Sequence, residues 1–264
     1  MPPDAAPPAI EFEGAAKSYG PDRAPALAPL SLGIVAGSFV AVVGASGSGK
    51  TTTLKLVNRL VDPDVGVIRV AGEDVAALSA PALRRRIGYV FQGVGLFPHL
   101  SVAENIGVTP RLLGWDRARI AVRVAELLAM VALPAGYAAR APAQLSGGER
   151  QRVGIARALA AGPKIMLLDE PMGALDPLTR DRLGQDYRAL HEAQALTTLM
   201  VTHDIQEALL LADRVVVMAG GRVVADDTPA ALLAGAGGAE ATALIAVPRA
   251  QAERIAAMRG EAGA

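Results

Sequence analysis

Gly44-Ala45-Ser46-Gly47-Ser48-Gly49-Lys50-Thr51-Thr52 is the stretch on which the reading of this chain turns. It fits G-x-x-x-x-G-K-[ST], the phosphate-binding loop, and a chain of this composition would contain roughly 0.003 such matches by chance. Upstream, Phe39-Val40-Ala41-Val42-Val43 is a continuous apolar run suited to a strand buried on both faces of a parallel sheet. Downstream, Leu54, Val57 and Leu60 are spaced for one face of a helix. Strand, glycine loop and helix, in that order, is the context the motif requires. Glycines let the backbone pass close to phosphate oxygens with N–H groups turned inward, and the helix N-terminus adds about half a positive charge. Lys50 is then placed to reach β- and γ-phosphates, and the Thr51 hydroxyl to ligate Mg²⁺.

The rest of the chain narrows what such a loop can serve. Its 264 residues suit one large domain or two small ones. Lys plus Arg equals Asp plus Glu at 26 each, which argues against a surface that coats nucleic acid. Cysteine is absent, so disulfides, thiolate metal sites and a cysteine nucleophile are excluded. Apolar residues make up 52% of the chain, yet no run approaches the ~18 residues of a membrane span. The start, Met1-Pro2-Pro3-Asp4-Ala5-Ala6-Pro7-Pro8, has neither a basic region nor an apolar core and reads as a flexible lead over residues 1–9. A membrane role would have to come through a partner.

Outward from the loop, Ile10–Glu13 and Leu30–Val35 read as strands. Tyr19 lies in the turn between them, either as partly buried filler or as an aromatic face for a base. Asp62-Pro63 reads as the stop of the first helix, Val65–Gly72 as a short strand pair, and Leu83–Arg86 as a basic helical turn. Ile87–Phe91 is a second buried strand ending at Gln92, followed by the apolar loop Gly93–His99. Such a loop is tucked under its own domain or docked to another chain, and the first is preferred from the residues alone. Val102–Ile106 reads as a short helix. Asp116 can cap another, whose apolar stripe is Ile120, Val124, Leu127, Leu128 and Val131, closed by Pro134. Residues ~93–160 thus form a mostly helical insert in an alternating αβ pattern.

Leu145-Ser146-Gly147-Gly148-Glu149 opens a helix running to about Ala161, and Ser146 to Glu149 is a capping-box spacing. Two glycines inside the first turn cost about 1 kcal/mol each against alanine, which suggests a close approach to the backbone there. Ile165–Leu168 is a third buried strand running into Asp169 and Glu170, two carboxylates that do not belong in a core. In a phosphate-loop enzyme the first holds Mg²⁺ and the second polarises an attacking water. Asp176-Pro177 begins another helix. Thr198–Val201 is a fourth strand, placing His203 at the sheet edge where ligands of open parallel sheets bind. Val215–Met218, Gly220-Gly221 and Val223–Ala225 form a hairpin signal, and Thr228-Pro229 starts a helix. From Gly235 the chain is Ala/Gly-rich, with Val247–Met258 at best a short helix.

Lys50, Gln92, Ser146-Gly147-Gly148, Asp169-Glu170 and His203, in this order, resemble the ATPase subunit of an ATP-binding cassette transporter over about residues 10–235. The resemblance implies an α/β fold: a RecA-like P-loop NTPase core with a mainly parallel sheet, an N-terminal antiparallel β subdomain, the helical subdomain at about 93–160, and a tail at 236–264. It implies ATP and Mg²⁺ as ligands, the latter on Thr51, Gln92 and Asp169. It assigns Tyr19 to stacking on adenine, Glu170, His203 and Lys50 to catalysis, and Gly44–Thr52 with Gln92 to ATP binding. Leu145, Ser146, Gly147, Gly148 and Glu149 would cover the γ-phosphate of a second copy of the chain, and Ala174, Leu175 and Asp176 would cross to that copy.

Glu149 departs from the glutamine common in importers of this family, and capping is expected to turn its carboxylate back to the Ser146 N–H, away from phosphate. The resemblance also reassigns the Gly93–Pro98 loop to gripping a transmembrane permease, which an extracytoplasmic solute-binding protein would serve. The chain would sit peripherally on the cytoplasmic face of the membrane and bind no nucleic acid. Asn58-Arg59-Leu60-Val61-Asp62-Pro63 and Leu113-Gly114-Trp115 are among the stretches that look like importers of osmoprotectants and quaternary amines such as glycine betaine, choline or carnitine.

Overall fold

The computed structural model describes residues 8–20, 24–173, 175–246, 250 and 254. Most of the expected lead, Ala174, and most of the helix considered at 247–258 lie outside the described residues. The first half of the chain runs β1 (Ile10–Lys17), β2 (Leu27–Ile34), β3 (Phe39–Val43), α1 (Lys50–Val57), β4 (Val65–Val70), β5 (Glu73–Asp74), α2 (Ala80–Arg86), β6 (Ile87–Val90), α3 (Val102–Ile106) and α4 (Val108–Leu112). It continues through α5 (Arg117–Met130), α6 (Gly147–Leu159), β7 (Ile165–Asp169), α7 (Pro177–Gln194), β8 (Thr197–Thr202), α8 (Ile205–Leu211), β9 (Arg214–Ala219), β10 (Arg222–Asp227) and α9 (Pro229–Leu233).

Two sheets result. A four-stranded antiparallel sheet has the order β2-β1-β4-β5, and a six-stranded sheet has the order β10-β9-β3-β8-β7-β6. In the second, every pair is parallel except the β9–β10 hairpin. The continuous apolar runs of β3 and β7 follow from burial on both faces, with alternate residues feeding two cores. Phe39, Ala41, Val43, Met166 and Leu168 pack on one side against Leu127, Leu128, Val153, Leu183 and Tyr187. Val40, Val42, Ile165 and Leu167 pack on the other against Leu54, Leu56, Leu83 and the antiparallel sheet's Ile10, Phe12 and Ile68. The large sheet is thereby sandwiched, and its loops emerge at one edge.

Several boundaries differ from the sequence reading. The first helix stops at its cap Asn58, before Asp62-Pro63, because Arg59 turns to φ +48° and its guanidinium donates to the Leu78 carbonyl at 2.6 Å. Leu60 therefore leaves the helical stripe and is exposed. The predicted pair at Val65–Gly72 is one strand, β4, turned at Ala71-Gly72 into the two-residue β5 beyond that range. β1 runs on to Lys17, and Ala9 is already tied to the Ile34 carbonyl at 2.8 Å. Helices α4 and α8 were not anticipated. Residues 238–246 are helical and send Ala241 and Ile245 into the core.

Candidate functional site

Both motif glycines of the phosphate loop are required by space as well as by torsion. A Cβ on Gly44 (φ +152°) would lie 2.1 Å from the Met218 carbonyl oxygen, and one on Gly49 (φ +100°) 2.4 Å from that of Ala26. The loop is thus pressed against the β9 end and the β2 entry, and α1 begins at Lys50 with its first-turn N–H groups free of intrahelical acceptors. Lys50 Nζ donates to the carbonyls of Gly44 at 2.7 Å and Ala45 at 2.8 Å, which leaves one of its three donors for the cleft. Burial pulls the Lys50 pKa down, and the charges of Glu170 and Asp169 oppose that shift. The cleft, about 560 Å³, is lined by Ser46, Gly47, Ser48, Gly49, Lys50, Thr51, Thr52, Gln92, Glu170 and His203, with Ala26 at its rim. The buried Ser48 hydroxyl has no partner, a polar atom left open for a ligand oxygen.

Strand order brings the remaining groups together. β6, β7, β8 and β3 are neighbours, so Gln92, Asp169-Glu170, His203 and the phosphate loop leave the sheet side by side. Asp169 Oδ1 accepts from Thr51 Oγ1 at 3.3 Å and its Oδ2 from Tyr89 OH at 3.2 Å. Burial raises the Asp169 pKa, the Tyr89 and Thr51 hydrogen bonds counter that, and Glu170 adds to it. Glu170 holds a left-handed backbone, φ +46°, while its N–H continues the ladder to the Val201 carbonyl at 2.9 Å. A non-glycine residue in that region is strained, and such residues cluster at functional sites. Its two oxygens face Gln92 Nε2 at 3.1 Å and His203 Nδ1 at 3.4 Å. Oxygen donors around a single buried carboxylate suit Mg²⁺, which takes one or two protein ligands and completes its shell with phosphate and water. No cluster of three or more metal-binding side chains exists among the described residues.

Leu145–Glu149 stands apart from this cleft. Ser146 and Gly147 are exposed, and none of the five lines the Lys50 cleft; Gly147 instead lines a neighbouring hollow that shares Gln92 and Glu170. Ser146 caps α6, and Glu149 Oε2 accepts from the Ser146 N–H at 2.7 Å while Oε1 accepts from Tyr137 OH at 2.8 Å. These two donors hold the Glu149 carboxyl below its usual range. The close approach inferred from the glycines has a source inside the chain: a Cβ on Gly148 would meet Thr179 Cγ2 at 2.7 Å. Leu175 is buried and Asp176 exposed, the latter capping α7 through the Thr179 N–H at 3.0 Å; Ala174 lies outside the described residues. Tyr19 is 49% exposed, half-buried with part of its ring open to solvent, and does not line the cleft.

The family model for ABC transporters matches residues 27–173, the span from β2 through the phosphate loop, the Ser146 turn and both carboxylates. The chain belongs to the ABC transporter family. It is 50% identical over 224 residues to the glycine betaine uptake system ATP-binding protein YehX of Escherichia coli (strain K12), covering 85% of this chain and 72% of that protein. It is 52% identical over 207 residues to the sulfate/thiosulfate import ATP-binding protein CysA 2 of Chromobacterium violaceum, covering 78% of this chain and 55% of that protein. Relatives named for carnitine, choline or osmoprotectant transport are 43–46% identical, and the chain spans 54–59% of their length. Among solved structures, the dimeric structure of a post-hydrolysis state of the ATP-binding cassette MJ0796 bound to ADP and Pi superposes with a TM-score of 0.75 at 34% identity, covering 83% of this chain and 98% of that one. The fold is accordingly the α/β cassette of this family: a mainly parallel sheet, an antiparallel N-terminal sheet and inserted helices.

Sequence reasoning missed three contributors within this cassette. Tyr89 read as a strand residue, yet its hydroxyl fixes Asp169; a polar tip in an otherwise apolar strand, three residues before Gln92, was the available signal. Arg157 lies in the last turn of α6 with no carboxylate partner among the described residues, and its guanidinium donates to the Val94 carbonyl at 2.8 Å and the Gly95 carbonyl at 2.7 Å. Val94, at φ +69°, also presses onto Gly154, so the loop after Gln92 and helix α6 are packed directly together. That loop is divided: Val94 is tucked in, as preferred from the residues, while Phe97 is exposed. Third, α8 is capped by Asp204, which accepts from the N–H groups of Gln206 and Glu207; Asp204 three residues before Glu207 was the overlooked signal.

Proposed function

We propose that this chain hydrolyses ATP as the nucleotide-binding subunit of an importer for osmoprotectants or quaternary amines, working as a pair. The observation that carries the reading is the convergence of Lys50, Asp169, Glu170, Gln92 and His203 on one sheet edge, with an exposed Ser146–Gly147 turn that contributes nothing to its own cleft. A γ-phosphate bound by Lys50 is thus left open on one side, and a second copy's turn, a capped helix N-terminus, has the polarity to cover it. Lys50 and the loop N–H groups hold the phosphates. Thr51, Gln92 and Asp169 would hold Mg²⁺, which supplies charge neutralisation when bound. Glu170 orients and polarises the attacking water, and His203 and Lys50 stabilise charge on the transferred group. Tyr19 offers its exposed ring to the adenine.

No helix among the described residues is long and apolar enough to cross a membrane. In this reading the energy of ATP passes to a permease at the cytoplasmic face. A groove edged by Leu60, Arg85, Phe91 and Phe97, next to the Gln92 loop, suits a helix of such a permease. An extracytoplasmic binding protein would supply the solute. YehX supports a betaine-type solute; the comparable identity to CysA 2 supports a second reading, the same ATPase serving another solute. Co-purifying the permease complex and titrating its binding component with glycine betaine and sulfate separates the two.

Glu170→Gln tests the chemistry. It is expected to retain ATP binding, lose roughly 10²–10⁴-fold in turnover, and trap an ATP-bound dimer seen as a doubled mass in light scattering. A variant that still hydrolyses at the wild-type rate contradicts the role of Glu170.

A further inference from the structure

Arg180, on the first turn of α7, takes no part in the steps above, yet its guanidinium joins two loops that do. Nη1 donates to Asp204 Oδ2 at 2.7 Å and Nη2 to the Leu175 carbonyl at 3.2 Å. Asp204 directly follows His203. Its other oxygen accepts from the N–H groups of Gln206 at 2.9 Å and Glu207 at 3.2 Å, and its own N–H donates to Thr202 Oγ1 at 3.1 Å. Thr202 in turn donates to the buried Glu207 carboxylate at 2.5 Å. His203 is therefore flanked on both sides by residues locked through side-chain bonds, and Arg180 connects that lock to the loop at Leu175.

The other end is the loop at Leu175–Asp176. Leu175 packs beside the Gly147–Gly148 turn, where its Cδ2 is 3.9–4.0 Å from the positions of added Cβ atoms. A rigid planar fork can hold an Asp204 oxygen and the Leu175 carbonyl at once, so a displacement of one acceptor is felt by the other; a lysine, as a point charge, transmits no such orientation. The guanidinium also has freedom to respond. Its Nε is buried without a partner, and it borders a cavity of about 390 Å³ with Met172, Gln185 and Leu211.

We propose that Arg180 is a positioning residue that carries the state of the Leu175–Asp176 loop to His203, so that docking of a second copy sets His203 for the first copy's γ-phosphate. This rests on the reading of the chain as half of a paired ATPase.

Two measurements on the full chain test it. In nucleotide-free protein, hydrogen–deuterium exchange of Arg180→Lys should quicken about three-fold or more at both the Leu175–Thr179 and the Asp204–Glu207 amides, with the thermal midpoint little changed. Quickening at one segment alone overturns the link. In turnover assays, wild type should show a Hill coefficient for ATP of about 1.5 or more, falling to about 1 in Arg180→Lys with an unchanged KM and a kcat about ten-fold lower. Asp204→Asn, which keeps the α8 cap, should behave alike, and the double variant should be little worse than either single one. An unchanged Hill coefficient, or fully multiplicative losses, overturns the proposal and leaves the ATPase reading intact. A wild-type chain that turns over no ATP overturns the ATPase reading, and the relay with it.

Discussion

Gly44 and Gly47 stand three residues apart in one loop, both with positive φ, and the structure gives them different weights. Gly44 has a carbonyl where its Cβ would sit, whereas Gly47 faces open space. Gly44→Ala is expected to cost about 3 kcal/mol or more, and Gly47→Ala about 1 kcal/mol from its torsion alone. Thermal denaturation of the pair checks this; equal losses would mean that crowding at Met218 is not what requires Gly44. Glu207 makes a prediction of another kind. Burial raises its pKa, the Asp204 charge adds to this, and the Thr202 hydrogen bond, Arg180 and His203 oppose it. A carboxyl whose folded pKa lies above its unfolded value binds more protons when folded, so stability falls as pH rises from the unfolded value through the folded one. Glu207→Gln removes that titration and keeps an acceptor for Thr202. The variant is expected to gain about 1 kcal/mol at pH 8, some 2–4 °C in midpoint, with no gain at pH 4. A gain that is the same at both pH values would contradict the assignment.

At the scale of elements, helix α6 does three things with one short run of sequence. Its N-terminal box satisfies the first-turn donors, its two leading glycines accommodate Thr179 and leave Gly147 open to solvent, and its Arg157 pins the loop that carries Gln92. Glu149 belongs to the first of these. Glutamine at this position retains a carbonyl to accept from the Ser146 N–H and an amide to meet Tyr137 OH, so Glu149→Gln should change ATP turnover by less than about ten-fold, ~1.4 kcal/mol. A larger gain would place the carboxylate against phosphate instead of against the cap. Most elements were legible because their signals are local: the period-two and continuous apolar strands, the Asp116 and Ser146 caps, the Gly220-Gly221 hairpin. The errors fall where distant residues decide. The early end of α1 depends on Arg59 reaching carbonyls 16–19 residues away. Short α4 and α8 carry too few residues for periodicity to register.

At the scale of the whole molecule, the proposed centre is a cleft to which the chain's own Ser146–Gly147 turn contributes nothing. If two copies close it, each centre combines the Lys50 cleft of one with the Gly147 turn of the other. Lys50→Ala and Gly147→Glu chains should each be inactive alone, whereas a mixture, containing dimers with one unaltered centre, should regain on the order of a quarter of the wild-type rate. Phosphate release from the mixture measures this, and no recovery would mean that each copy carries its own complete centre. The residues of that centre could be named from sequence because chemistry ties each to a short motif: a lysine behind two glycines, paired carboxylates at the end of an apolar strand, a histidine at another strand's end. Their convergence could not be, since strand order is set by how two apolar cores are shared across a sheet, and only that order puts Gln92, Glu170, His203 and Lys50 at one edge. Likewise Tyr89 behind Asp169, Arg157 on the Gln92 loop and Arg180 on Asp204 are contacts across 24 to 80 residues. No local pattern encodes them, because their partners are backbone carbonyls and single carboxylates brought near only when the chain is folded.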